Sequence, residues 1–420
     1  MLGKVKRSFL FLRWSSVASG IALIAATYGL VRLAFGLHLP EMSADLTIDT
    51  AVAGLVSAAG SVVYAIAALV GFLVAERRPR LLIVAATATA AGGAAGLALA
   101  PHAAAFGFAA TIASAGAGLA SPALVRIVAR TFADRDASTP QAVVNAGTGP
   151  GLIAAGILTI ALAPDWRLSW AVAAFATLAA GIAVLVSDRL GEREREREPE
   201  HGPDAASTDA PHPLRRGAET RASRATAVPS PRWWGSHRQA IAAAVLLGFG
   251  AAAIWNYGRV VLVDAGASEA GSVMAWVLIG CGGTGVIATS AALRRLRPES
   301  LWTVAAVLVA AATFALGVAP TDHTVGVAAP VLFGWAYVTA TGALIAWTTR
   351  VDPSYAAAGT AVLFVVFMVG QAIGAAVIGA ILPVAAPGVA FGIAAAVSLA
   401  AGATAAVPRR TRVHAPPASA

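Results

Sequence analysis

A single cysteine, Cys281, excludes any disulfide within the chain and leaves the redox compartment unspecified. Charge is scarce as well: only 12% of the 420 residues are Asp, Glu, Lys or Arg, against about 25% in an ordinary soluble domain. The seven histidines are scattered over termini, loops and a central polar stretch. No clustered nucleophile, metal set or acid–base group therefore marks an enzyme, and no cofactor is expected. Acid is missing from the deep part of every long apolar run, where a proton relay usually places one. Nor is an appended soluble domain expected that could read out a signal as a sensor's would.

Apolar residues fill the space left by these absences. They make up 58% of the chain, and mean hydropathy is +0.75. They recur in runs of about 20, the length a helix needs to cross a ~30 Å hydrocarbon core. Twelve spans are expected, at 17–39, 52–75, 81–100, 104–129, 140–163, 167–187, 239–263, 270–292, 301–319, 324–348, 356–382 and 387–407. A helix satisfies its own backbone in lipid, so the expected fold class is an all-α integral membrane protein. The first span follows Lys4, Lys6 and Arg7, as a signal peptide would. It is longer than the roughly 7–15 apolar residues of a cleaved signal and contains Arg32, so it reads as a retained span.

The net charge of +9 suggests nucleic acid until the charges are placed. Outside the long central loop, 17 Lys and Arg fall on one side of the spans and one, Arg167, on the other. That asymmetry sets orientation by the positive-inside rule and puts both termini in the cytoplasm of a cell whose plasma (inner) membrane holds the chain. Glu41, Asp45, Asp49, Asp264, Glu269 and Asp322 mark the outer loops. The partners are then the lipid bilayer and a small-molecule substrate, not nucleic acid, and the expected state is a monomer.

Residues 188–238 interrupt the pattern with Glu–Arg alternation and a Pro, Ala, Ser and Thr-rich stretch that cannot bury a core. This reads as a cytoplasmic linker between six spans in 1–187 and six in 239–407, with a tail at 408–420. Trp233 and Trp234 read as interfacial anchors before the seventh span. The halves echo each other. Tyr28 and Arg32 correspond to Trp255 and Arg259, and Glu76–Arg80 to Arg294–Pro298. Thr47 with Asp49, and Ser268 with Glu269, stand as caps before spans two and eight. Repeated halves with a midplane site are a common plan of secondary transporters.

A charged residue inside a span costs roughly 2.5–3.5 kcal/mol on insertion scales and is usually kept for a cavity or a ligand. Arg32 stands eight residues before Pro40, about 12 Å below the expected outer boundary at ~1.5 Å per residue. Arg259, five residues before Asp264, is only about 7.5 Å deep by the same rise. Each has an aromatic one turn earlier, Tyr28 and Trp255. A cavity-facing role and a structural pairing both remain open for the two arginines. If both face a cavity, their forked donors suit carboxylate or phosphate. Asn256, Gln371 and Asn145 are polar amides in spans and join the candidate substrate-binding set, with helix stitching as the other reading.

The chain resembles the major facilitator superfamily over nearly its whole length. Glu76-Arg77-Arg78-Pro79-Arg80 is similar to the family's loop between spans two and three, with Phe72 and Pro79 where glycines usually stand. Asp165-Trp166-Arg167 is similar to its Gly-Trp-Arg, and Gly116, Gly118 and Pro122 to its fourth-span pattern. Arg32-Leu-Ala-Phe-Gly-Leu-His-Leu-Pro40 resembles a bacterial branch of twelve-span permeases. The resemblance implies two pseudo-symmetric six-helix bundles that alternate access to a central site. It also implies a cytoplasmic lock made by Glu76, Arg77, Arg78 and Arg80, with Arg126 or Arg130 of span four. Ile112 replaces an Arg common in proton-coupled drug exporters, and of the fifth-span motif only Gly149-Pro150 survives. A small anion is the leading substrate. Drug or metabolite efflux is the alternative, and the coupling partner is open between a proton and a counter-anion.

Overall fold

The computed structural model describes residues 2–132, 137–197, 231–293 and 295–406. Most of the expected linker, Arg294 of the second basic loop and the expected tail lie outside them. Among the described residues there is no strand, and twelve helices are long and apolar enough to cross a membrane.

The first, α1, runs Leu2–Ile24, continues as a π-helical stretch Ala25–Arg32, and resumes as Ala34–Leu46. There follow α2 (Thr50–Val74), α3 (Pro79–Leu99), α4 (Ala103–Thr131), α5 (Ser138–Asn145 then Thr148–Leu162) and α6 (Trp166–Arg197). The second half comprises α7 (Pro231–Asp264), α8 (Glu269–Leu293), α9 (Pro298–Val318), α10 (His323–Val351), α11 (Ala356–Ile381) and α12 (Pro387–Ala406). Helices α1–α6 pack as one bundle and α7–α12 as a second. They meet along α2 with α11, α5 with α8, and α1 with α7.

Local chemistry fixes the helix starts. Asp49 Oδ1 accepts from Val52 N at 2.7 Å and Asp322 Oδ1 from Val325 N at 3.0 Å, meeting amides that the first turn leaves unpaired. Pro79, Pro231, Pro298 and Pro387 occupy first helical positions, where the missing N–H costs nothing. Thr47, expected among the caps of α2, instead closes α1 in a left-handed conformation (φ 52°). Ser268 does cap α8, its Oγ accepting from Gly271 N at 3.1 Å.

Several boundaries differ from the sequence expectation, beginning with α1, which starts at Leu2 where the first span was expected from 17. Helix α1 runs through Pro40 to Leu46, because a proline forfeits only one bond, here to the carbonyl of Gly36. Helix α6 continues past residue 187 to Arg197, since Asp188 and Glu192 are anchored by ion pairs from α3 and α4. Helix α7 starts at Pro231, and Trp233 is not an interfacial anchor. It is buried with its ring stacked on His237 at 3.9 Å, while Trp234 stays exposed.

Between the bundles, small residues bring backbones together, the packing that substitutes for a hydrophobic drive in lipid. A Cβ on Gly54 of α2 would lie 2.5 Å from the Ala375 carbonyl oxygen of α11, and one on Gly379 would strike the Tyr257 hydroxyl and the Thr50 carbonyl. Gly149 of α5 and Gly280 of α8 pack against each other's helices in the same way. Within the first bundle, Gly29 of the π-helical stretch sits on Gly151 of α5, so neither position has room for a side chain.

Candidate functional site

The π-helical stretch widens α1 by one residue per turn, with Leu33 N donating to Tyr28 O at 2.8 Å. Such widened turns are frequent at functional sites. It ends on Arg32, whose guanidinium crosses to the other bundle. Nη2 donates to Gln371 Oε1 of α11 at 3.0 Å and lies 2.9 Å from Met368 Sδ. The guanidinium carbon sits 4.4 Å above the Tyr64 ring, a cation–π contact. Tyr64 is steadied in turn by Tyr28, hydroxyl to hydroxyl at 2.8 Å. No carboxylate pairs with Arg32 among the described residues, and its Nε is buried without a hydrogen-bond partner.

Arg32, Trp255, Asn256 and Gln371 line one cavity between the bundles, together with Ser57, Ser61, Ser114 and Trp170. The cavity leaves about 40 Å³ for the centres of water molecules. Ser57 Oγ donates to Asn256 Oδ1 at 2.5 Å, a second bond across the bundles, while Asn256 Nδ2 is spent on the Ala252 carbonyl at 2.8 Å. The indole N–H groups of Trp170 and Trp255 are buried and unpaired, like Arg32 Nε. Trp255 also packs edge-on against Trp276, Phe333 and Tyr337, which fixes its ring. The lining is rich in donors and lacks acid.

Arg259 has a different place from the one its spacing suggested. Its guanidinium is 1% exposed and holds both oxygens of Glu41, at 2.6 and 2.5 Å. It also donates to the Leu37 carbonyl and, through Nε, to Ser272 Oγ at 3.1 Å. Of the two roles left open for it, Arg259 takes the structural pairing, so the two arginines do not share one cavity. The physical reason is the continuation of α1. Arg32 lies fourteen residues before the helix end at Leu46, and Arg259 five before Asp264. The position that matches Arg259 in height is Glu41, five residues before Leu46.

Asn145 is also outside the cavity. It is exposed at the end of the short first segment of α5, where the helix breaks before Thr148. Tyr28 reaches the site through Tyr64, whose hydroxyl it meets. The sequence reading missed Tyr64, Trp170 and the three serines, although Ser57 and Ser61 are spaced by one helical turn, a legible signal.

At the basic end, the expected lock residues form pairs inside the first bundle. Arg126 meets Glu76 at 3.1 Å, both half-exposed. Arg80 holds Asp188 at 2.6 Å and Glu192 at 2.6 Å, and Arg130 joins Asp188 as well. Asp188, 1% exposed, is the centre of this cluster. Arg77 and Arg78 are exposed. The cross-bundle bonds gather at the opposite, acidic end. There Arg259 holds Glu41, Tyr257 Oη reaches the Thr50 carbonyl at 3.4 Å, and Thr50 Oγ1 donates to the Gly379 carbonyl at 3.1 Å.

Residues 21–375 match the family model described as Major Facilitator Superfamily. No curated protein matches the chain in sequence. Among solved structures, the nucleoside transporter NupG superposes with a TM-score of 0.67 at 14% identity, covering 94% of this chain and 98% of its own. A point mutant of NupG gives 0.68 at 15% identity, covering 93% and 99%. A bacterial homologue of the human lysosomal transporter Spinster, in an inward-facing and unoccupied conformation, gives 0.65 at 13%, covering 95% of each chain. At these identities the likeness establishes the fold alone.

Proposed function

Since the chain belongs to the Major Facilitator Superfamily, we propose that it is a secondary transporter whose two bundles rock about the Arg32 cavity to carry a small anion. The observation that carries this reading is Arg32 itself. It is a permanent positive charge at the bundle interface, with only an amide oxygen, a thioether and an aromatic face as partners. A cation left so uncompensated draws an anion, and the two unpaired indole N–H groups and the serine hydroxyls add donors for its oxygens. Arg259, already satisfied by Glu41, takes no part in binding and serves as the seal of the acidic end. By the positive-inside rule that end faces outward and the termini lie in the cytoplasm. Glu76 with Arg126, and Arg80 with Asp188 and Glu192, stiffen the cytoplasmic end of the first bundle, beside the exposed Arg77 and Arg78.

A second reading, efflux of an aromatic drug or metabolite, draws on the Trp255, Trp276, Phe333 and Tyr337 cluster. Only Trp255 of these reaches the cavity, so the anion leads. The test is uptake by proteoliposomes of a panel comprising phosphate, sulfate, small mono- and dicarboxylates, uridine and a cationic dye, with and without a pH gradient. Saturable uptake of a small anion supports the proposal. Selective movement of the dye or of uridine overturns it.

A further inference from the structure

His38 lies on α1 between the Arg32 cavity and the Arg259–Glu41 bridge, and it is 4% exposed. Its ring contacts Trp170, a wall of the cavity, with centroids 5.4 Å apart. Its Nε2 faces Thr159 Oγ1 of α5 at 3.5 Å. The single proton of that hydroxyl is committed to the Ala155 carbonyl at 2.9 Å, so the imidazole must be the donor and its proton sits on Nε2. Nδ1 is then a bare acceptor, buried with no partner. A buried lone pair left this way is costly unless some other state uses it.

The charged neighbours say which state. Next in sequence, Leu37 gives its carbonyl to Arg259 of α7, so a positive charge already stands beside the ring. Three residues on, Glu41 lies on the same helical face, but both its oxygens are held by Arg259. One turn beyond, Asp45 is paired with Arg167 of α6 at 2.9 Å. Thr159 and Trp170 complete the surroundings from α5 and α6 and carry no charge. With the bridge closed, a proton on Nδ1 would find a cation and no acceptor. Once Arg259 withdraws with the second bundle, the cation leaves and Glu41 comes free.

We propose that His38 is the proton-binding site of this transporter, filled and emptied as Glu41 exchanges its partner between Arg259 and His38. One proton passes from water at the opened acidic end to Nδ1 and is held against the Glu41 carboxylate. When Arg259 reclaims Glu41 on closing, Nδ1 gives the proton to water in the Arg32 cavity, then open at the basic end. The carrier then moves a proton with its substrate although no acid lies deep in a span. This rests on the reading that the acidic end opens, and not on the identity of the substrate.

The test is a substrate-free titration of the full-length chain in lipid nanodiscs from pH 8 to 5, following proton uptake and tryptophan emission, since a protonated imidazole quenches an adjacent indole. Arg259→Gln frees Glu41 and removes the cation. It should show a one-proton uptake step between pH 8 and 5 that the wild type lacks, with a fall in emission. The R259Q/H38Q double variant should lack both, and R259Q/W170F should keep the uptake and lose the emission change. Identical titrations of R259Q and R259Q/H38Q overturn the proposal. Should Arg259→Gln fail to accumulate, Arg259→Met, which also frees Glu41 and removes the cation but keeps an apolar stem of similar reach, should show a step that His38→Gln removes; a step that survives His38→Gln overturns the proposal equally.

Discussion

Glu41 and Arg259 stand five residues from the ends of α1 and α7 and close on each other across the two bundles, each guanidinium nitrogen of the fork meeting one carboxylate oxygen. The two halves thus contribute opposite charges at one height, and the repeat of the fold builds a seal from unlike residues. Removing one member of such a buried pair costs more than the pair contributes, because the other charge is left stranded.

Glu41→Gln should therefore lower stability by about 3–5 kcal/mol and loosen the acidic end. The check uses a Cys281→Ser background with a single cysteine at the cavity-lining Ser57. A membrane-impermeant maleimide added from the acidic side should label it several-fold faster with Gln at 41 than with Glu. Equal labelling rates would mean that the bridge does not close this end.

Gly379→Ala places a methyl group against the Tyr257 hydroxyl and the Thr50 carbonyl. Backbone cannot yield as a side-chain tip can, and overpacking of this kind typically costs about 1–3 kcal/mol. The substitution should hold α11 away from α2, speed labelling of the same Ser57 cysteine and lower the melting temperature. Gly235→Ala, where open space surrounds the added carbon, is the control and should do neither.

At the basic end, the two acids should differ sharply. Asp188→Asn removes the buried carboxylate on which Arg80 and Arg130 converge, leaving Glu192 to Arg80, and should cost about 1.5–3 kcal/mol, the range of hydrogen bonds to a charged group. Glu76→Gln removes a half-exposed pair with Arg126, which is worth at most about 1 kcal/mol. Thermal unfolding of both variants beside the wild type measures the contrast; an equal loss from the two would refute the ranking.

Much of the architecture was legible because lipid imposes a blunt rule. Runs of about 20 apolar residues marked all twelve spans, and the placement of Lys and Arg separated a basic end from an acidic one. Helix ends were read less well. Pro40 and the Glu–Arg run after Asp188 are punctuation in isolation, yet tertiary partners carry α1 and α6 past them. Ending α1 at Pro40 placed Arg32 too near the surface, since the helix continues to Leu46, and hid Glu41, which was taken as a loop acid. Arg32, Trp255, Asn256 and Gln371, which line the cavity, stood out in the sequence because a polar group in a span needs a partner. Ser57, Ser61, Ser114, Tyr64 and Trp170 were missed because small hydroxyls and aromatics are ordinary in such helices, and only the packing of α2, α4 and α6 aims them at one space.

The central claim is that Arg32 binds the anion and Arg259 does not. Arg32→Lys keeps the charge and loses the planar fork; Arg32→Gln removes the charge. The most direct measurement is the dissociation constant, for both variants and the wild type, of whichever small anion the proteoliposome panel identifies. The account predicts at least tenfold weaker binding for Arg32→Lys, equivalent to about 1.4 kcal/mol, and no measurable binding for Arg32→Gln. Wild-type affinity in Arg32→Gln would contradict it.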